Sequence, residues 1–268
     1  MDTLTNENYH SPEMNKKYLS VSQVKDFLGT LAMRGCENYA LARINGEWEM
    51  EKTPALLVGG YVDASFEGTL DVFKAQNPSI FTQKGELKSE YKMANDIIAR
   101  VERDPYWMKY MSGEKQVIMT GELFGAKWKI KIDSLIRKVC ITDLKVMRDD
   151  IRRSFWVKDL GQHVSWLEYW DYTLQAAVYQ KIVQINTGDL LPFYIAAVTK
   201  EKHPDHEILG FTNKELEERL FMVAPNINRI LSLKSGEVKA DSCGVCDWCK
   251  EHKVCEKPIH FSELILSI

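Results

Sequence analysis

Apolar positions recur at helical spacing over 20–44, where Ser20 or Ser22 can cap the segment and Gly35 can interrupt it. The stretch 55–75 reads as a second helical segment entered through Gly59 and Gly60, and 89–111 as a third. The period then changes. Residues 115–147 alternate and are rich in β-branched side chains, which predicts three strands in a meander with turns near Gly125 and Arg137–Lys138. Helical spacing returns over 166–188, with Leu174, Ala177, Val178, Ile182 and Ile185 on one face and Gly188 as the stop. A compact apolar run in 191–201 predicts a buried strand. The segment 212–233 is helical and opens with a capping box of Thr212 and Glu215. This order predicts an α/β (α+β) fold, a mixed central sheet flanked by helices. Residues 1–17 read as a flexible tail, 18–240 as the main domain, and 241–268 as a short Cys-rich segment packed on that domain.

Composition adds limits. The chain has 268 residues, 45% apolar and 27% charged, which suits a globular protein with a large core. The formal charge of −3 leaves no global basic footprint, so any nucleic-acid contact must come from a local patch or a metal. No apolar run approaches a membrane span and the opening residues are too polar for a signal peptide, so the expectation is a cytoplasmic protein with no membrane contact. In that compartment six cysteines point to metal ligation or burial rather than disulfides.

The chemistry gathers in "CITDLKVM", residues 140–147. Asp143 and Lys145 stand two apart in an apolar strand, so they project from one face. Asp133 lies on the preceding strand, and a turn near Arg137–Lys138 brings it roughly opposite Asp143. Two carboxylates this close repel unless a cation sits between them, and Mg²⁺ or Mn²⁺ suits such oxygen ligands. With Lys145 to orient a water or steady phosphate charge, the patch fits metal-assisted phosphodiester hydrolysis. A surface hairpin with a cross-strand ion pair is the plainer reading of D-x-K alone. Gln175 and Tyr179, four apart, share a helical face.

Asp133, then Asp143 and Lys145, then Gln175 and Tyr179, in this order, resemble the PD-(D/E)XK nuclease superfamily and its RecB-like branch. "CENYALARINGEWE", "GGYVDASFEG", "KIDSLIRKVCITDLKVM" and "CGVCDWCK" together are similar to phage and prophage RecE-like exonucleases, over most of the chain from about Tyr18. The resemblance implies a restriction-endonuclease-like core and a Mg²⁺-dependent 5′→3′ exonuclease that resects duplex DNA ends and hands the single strand to an annealing protein. It implies Asp133, Asp143 and the Leu144 carbonyl as metal ligands, Lys145 as the group that positions the attacking water, and Gln175 and Tyr179 as groups that orient Lys145 or the DNA. Where the branch often has a histidine ligand this chain has Asp63, with Glu67 one turn later as the alternative. A non-catalytic DNA-binding or scaffold module on the same fold, or an endonuclease within a larger complex, are the rival readings, and a homo-oligomer stays open.

Cys243, Cys246 and Cys249 form C-x-x-C-x-x-C, with Cys255 beyond, a spacing that grips one soft metal centre. Resemblance to AddB-type nucleases implies a [4Fe–4S] cluster on Cys246, Cys249 and Cys255, with the distant Cys36 as fourth ligand. Zinc on Cys243, Cys246, Cys249 and either Cys255 or His252 is the rival. Cys140, on its apolar strand, reads as core. Lys127, Lys129 and Lys131 alternate along one strand and make the best candidate for a basic DNA-binding strip. Trp166, Trp170 and Tyr172 near a helix start read first as core, with stacking on unpaired bases as the alternative. Lys200 and Lys202 read first as a solvated strand end, with phosphate contact as the alternative.

Overall fold

The structure is a computed structural model that describes residues 3–148, 150–255 and 257–264. Residues 1, 2 and 265–268, at the ends of the two outer segments, lie outside the described residues, as does residue 256.

The predicted meander is present but divides once more. β1 (Val117–Leu123) and β2 (Ala126–Ile132) form a hairpin. Its two-residue turn needs positive φ at both positions, and Phe124 (φ 55°) and Gly125 (φ 73°) supply it. At Asp133 the chain turns out of this hairpin into a different sheet. β3 (Ser134–Ile136), β4 (Cys140–Met147), β7 (Phe193–Thr199) and β8 (His206–Gly210) pair in the order β3-β4-β7-β8. Only the β4–β7 pair is parallel, so the central sheet is mixed. β5 (Ser154–Val157) and β6 (Gln162–Ser165) form a separate two-stranded ribbon. The ribbon and β8 are short and mostly exposed or half-buried, so the apolar pattern did not flag them.

Helices cover the central strands. α1 (Pro12–Lys17), α2 (Val21–Leu28) and α3 (Glu37–Asn45) precede α4 (Pro54–Glu67) and α5 (Leu70–Gln76); α6 (Met93–Val101) and α7 (Pro105–Tyr110) lead to the strands. α8 (Trp166–Tyr169) and α9 (Tyr172–Thr187) lie between β6 and β7, and α10 (Asn213–Ser235) and α11 (Asp247–Glu251) follow β8. β7 is buried on both sides and its alternation divides the core. Ile195 and Ala197 pack with Val24, Trp128, Val178, Ile182 and Ile227, while Ala196 and Val198 pack with Val58, Val62, Ile97 and Trp107. No helix among the described residues is long and apolar enough to cross a membrane.

The helical segments also break where glycine chemistry demands it. The first splits into α2 and α3 between Gly29 (φ 82°) and Gly35. A Cβ on Gly35 would stand 2.3 Å from the Phe27 carbonyl oxygen, so two passes of backbone touch there. Gly59 and Gly60, expected at a helix entrance, lie inside α4 instead. A Cβ on Gly60 would meet the Phe73 ring at 2.9 Å, so this glycine lets α5 fold back against α4.

The flexible tail is the larger correction. Met14 is 1% exposed and Tyr9 is buried, and Ser11 caps α1 ahead of Pro12. The anchor is charge satisfaction. Lys129, in mid-β2, is buried, and its ammonium bonds the Tyr9 carbonyl and Asn15 Oδ1. Lys234 bonds the carbonyls of Asn15 and Tyr18 at 2.8 and 2.7 Å. Buried ammonium groups need acceptors, and the N-terminal segment provides them. The basic strip is corrected by the same contacts: Lys127 is exposed, Lys129 is buried beneath this segment, and only Lys131 remains half-exposed towards the cavity described below.

Burial lowers the Lys129 pKa to about 8, against about 10.4 in an unfolded chain. Between these values the unfolded chain holds a proton that the native chain has released, so stability rises with pH across that window and this residue contributes no slope below it. Lys129→Met should reduce that rise, read as urea midpoints at about pH 8 and about pH 10.

Candidate active site

β4 carries the centre of the site. Its alternation buries Ile141 against the α9 side of the core, and Asp143 and Lys145 follow on the same face. Asp143 is 3% exposed, and a carboxylate this deep needs partners for both oxygens. Oδ1 accepts from Gln175 Nε2 at 2.6 Å, and Oδ2 lies against the Lys145 ammonium. Asp133 occupies the break between β2 and β3, and the register that sets Ser134 opposite Thr142 sets Asp133 opposite Asp143. Its Oδ2 accepts the Leu144 N–H at 2.8 Å.

α4 brings Asp63 and Glu67 to the same cavity of about 430 Å³, which Asp133, Asp143, Leu144 and Lys145 also line. Glu67 accepts from Gln116 Nε2 at 2.5 Å, and that nitrogen also lies 3.5 Å from Asp133 Oδ1. Glu67 is thus tied to an amide, while Asp63 faces the cavity. Tyr179 and Gln175 both line it, but their bonds go elsewhere than expected: Gln175 holds Asp143, and the Tyr179 hydroxyl donates to the Lys131 carbonyl at 3.2 Å, bracing β2. Lys200 donates to the Ala55 carbonyl at 2.8 Å, and Lys202 is exposed. Sequence reasoning missed Gln116 and Lys25. Lys25 lines the cavity and donates to the Trp170 carbonyl at 2.8 Å, its pKa lowered to about 8 by burial. Both are single polar residues outside any spaced motif, so no pattern singled them out.

The electrostatics test whether a metal fits. Burial and then the Asp143 charge drive Asp133 well above the usual carboxylate range. Asp63 rises to about 7 through burial, with Lys145 opposing and Glu67 and Asp143 adding. For Lys145, burial works against the charge, but Asp143, Tyr172 and Asp133 outweigh it and hold the group as an ammonium. Asp63, Asp133 and Asp143 share the cavity with Lys25, Lys131 and Lys145, and buried carboxylates that sit together repel unless a proton or a cation offsets them. Oxygen donors of this kind suit a hard divalent ion.

A second cluster is built of thiols. Cys36 precedes α3, and its sulfur lies 3.6 Å from that of Cys249 on α11. Cys243 lies 3.9 Å from Cys249, and the sulfurs of Cys36, Cys243, Cys246 and Cys249 all fall within 4.8 Å of one another. This set can hold zinc or an iron–sulfur centre. Cys255 is exposed and outside it, and His252 stacks on Trp248 at 3.7 Å, so Cys243 takes the place expected for Cys255. The C-terminal segment is fastened nearby by Arg229, which bonds both Glu37, at 2.6 and 2.9 Å, and Asp241, at 3.1 Å. Cys140 is buried in the core, as expected.

Residues 20–252 match the model of the PDDEXK-like domain of unknown function (DUF3799). The chain belongs to this family. A crystal structure of a "Putative exonuclease" from Eubacterium rectale is similar over 100% of both chains, at 56% identity and a TM-score of 0.95. The crystal structure of SSO0001 aligns over 83% of this chain and 87% of its own at 14% identity, with a TM-score of 0.29, too slight to carry an argument. No curated protein matches. The PDDEXK-like chain therefore combines a mixed sheet, a carboxylate-lined cavity on β4 and a four-cysteine cluster close to its C-terminus.

Metal content by elemental analysis checks the cysteine set. If the set holds a metal, Cys36→Ser should lose it and lower the Tm by roughly 10 °C, as loss of a few kcal/mol would in a chain this long. Cys255→Ser should keep both.

Proposed function

We propose that this PDDEXK-like protein is a Mg²⁺-dependent DNA exonuclease that resects duplex ends in the 5′→3′ direction, the activity implied by its RecE-like resemblance. The observation that carries the reading is the placement of Asp133, just before β3, opposite Asp143 on β4, with the Lys145 ammonium against Asp143 and a cavity in front. The exonuclease name of the Eubacterium rectale relative supports it. Direction and free-end dependence rest on the resemblance alone, as does delivery of the product strand to an annealing protein.

Asp133, Asp143 and Asp63 would hold the ion, with the carbonyl of Leu144, which lines the same cavity, as a further donor. When bound it would supply charge for the scissile phosphate and lower the pKa of an attacking water. The chain's own groups do the rest. Leu144 N–H and Gln175 fix one oxygen each of Asp133 and Asp143, so the donors are set before substrate arrives. Lys145 is protonated, which makes it a hydrogen-bond donor to water or phosphate oxygen rather than a base. Lys25 and Lys131 add positive charge along the cavity wall.

For the thiol cluster we propose zinc. Four thiolates on one tetrahedral zinc, at ≈ 2.3 Å each, stand about 3.8 Å apart, close to the 3.6 and 3.9 Å separations of Cys249 from Cys36 and Cys243. A cubane binds each thiolate to a different iron and spreads them further.

End-labelled linear duplex and covalently closed circles, incubated with Mg²⁺ and with EDTA, test the nuclease. Linear DNA should vanish with Mg²⁺ alone while circles persist. Rapid cutting of circles would replace exonuclease with endonuclease, and no cleavage with Mg²⁺ or Mn²⁺ would leave the non-catalytic DNA-binding module. Lys145→Met and Asp143→Asn should each lower kcat at least 10²-fold. Gln175→Ala should mainly raise the Mg²⁺ requirement, by about 10- to 100-fold.

A further inference from the structure

Lys145 also lines a second cavity, of about 200 Å³, which shares none of the carboxylates Asp63, Asp133 and Asp143. Its walls are mostly aromatic and cationic, with Phe155, Trp166, Trp170 and Tyr172 beside Arg148 and Arg153, and Asp150 is the one carboxylate among them. Three of the four rings are committed. Trp166 is buried and donates its indole N–H to the Ile151 carbonyl at 3.0 Å. Tyr172 has the Lys25 ammonium 4.8 Å and the Lys145 ammonium 5.3 Å from its ring centre. Phe155, on the β5–β6 ribbon, stacks on Tyr169 at 4.2 Å, with the Arg153 guanidinium 5.1 Å from its ring. Trp170 differs. It is 41% exposed, and its ring meets Tyr169 edge-on at 5.7 Å.

The backbone that carries Trp170 is held firmly. Its carbonyl accepts from Lys25. The next residue, Asp171, adopts a left-handed conformation (φ 52°) uncommon for a residue with a side chain. Arg219 clamps the Asp171 carboxylate through two bonds of 2.9 and 2.6 Å. This strained turn sets Trp170 and Tyr172 on the wall of one cavity, beside the lysine.

We propose that this cavity binds one unpaired nucleobase, stacked on Trp170, from the nucleotide whose phosphate meets Lys145. The inference rests on the nuclease reading and deepens it by naming the substrate form. A phosphate at Lys145 places its own nucleoside within reach of a chamber that starts at the same side chain. The volume suits a single ring system, below the ≈ 300–1,000 Å³ of a typical ligand site. Aromatic faces with nearby cations favour a base of any sequence. A base still paired in a duplex cannot enter, so the form of DNA accepted is a frayed or single-stranded end.

The test uses oligonucleotides carrying 2-aminopurine at the terminal or at an internal position, with Ca²⁺ in place of Mg²⁺ and binding followed separately by anisotropy. Wild type should quench the terminal probe more than the internal one. Trp170→Ala should abolish that difference and weaken binding on the order of tenfold, and Trp170→Phe should restore most of it. Equal quenching at both positions in the wild type, or unchanged terminal quenching in Trp170→Ala, overturns the inference, and so does a wild type that binds no DNA. Because quenching needs no cleavage, terminal quenching in a protein that never cuts DNA would sink the nuclease reading alone. Cleavage with no terminal quenching would sink the base site alone.

Discussion

The site depends on one substitution in a hydrogen-bond ladder. β2 leaves to pair with β1, and the β3–β4 register, carried one step further, would have set Ile132 opposite Leu144. The Leu144 N–H therefore loses a backbone partner at the place where the two sheets part, and a buried N–H without an acceptor is costly. The Asp133 carboxylate takes that bond. The side chain that completes the sheet is thus one of the side chains that face the cavity. The requirement for a satisfied backbone holds Asp133 across from Asp143 whether or not anything is bound.

A second layer of polar contacts keeps buried charge from dispersing the site. Gln175 spans from α9 to Asp143, Gln116 spans Glu67 and Asp133, and the Tyr179 hydroxyl ties α9 to the β2 backbone. None of these contacts is strong alone, at about 1 kcal/mol for a neutral bond and somewhat more to a charge. Together they link α4, α9 and the two sheets around one cavity. The same economy appears on another wall of that cavity, where Lys129 and Lys234 hold the N-terminal segment over the core by giving its carbonyls something to bind.

Much of the site was legible because two periodicities are rigid. Residues two apart on a strand and four apart on a helix share faces, so Asp143 with Lys145 and Gln175 with Tyr179 were readable as pairs, and a turn of known place put Asp133 near them. What stayed hidden depends on contacts between distant segments. Lys129 looks like its neighbours Lys127 and Lys131 in sequence, and only the packing of residues 9–15 over β2 distinguishes it. Gln175 and Tyr179 were readable as facing the site, but their partners were not, because a side chain's bond is decided by which acceptor lies nearest. Thiol spacing was equally ambiguous: Cys243 and Cys255 both offer plausible intervals, and the short helix α11 selects Cys243 by turning Cys249 back towards it.

The clasp between Cys36 and Cys249 has a kinetic meaning. These sulfurs are 213 residues apart in the chain. Closing so long a loop in an unfolded chain costs roughly 5 kcal/mol of entropy before any local strain. Three of the four thiols lie within 243–249, and the fourth, Cys36, precedes α3 and so emerges long before them during synthesis. The ligand set can assemble only after the sheet and helices between them have brought the two ends together, which makes it a late step in folding. A metal bound there would mark chains whose interior is already complete, and a chain halted before Cys243 would expose the thiol of Cys36 with no partners to join.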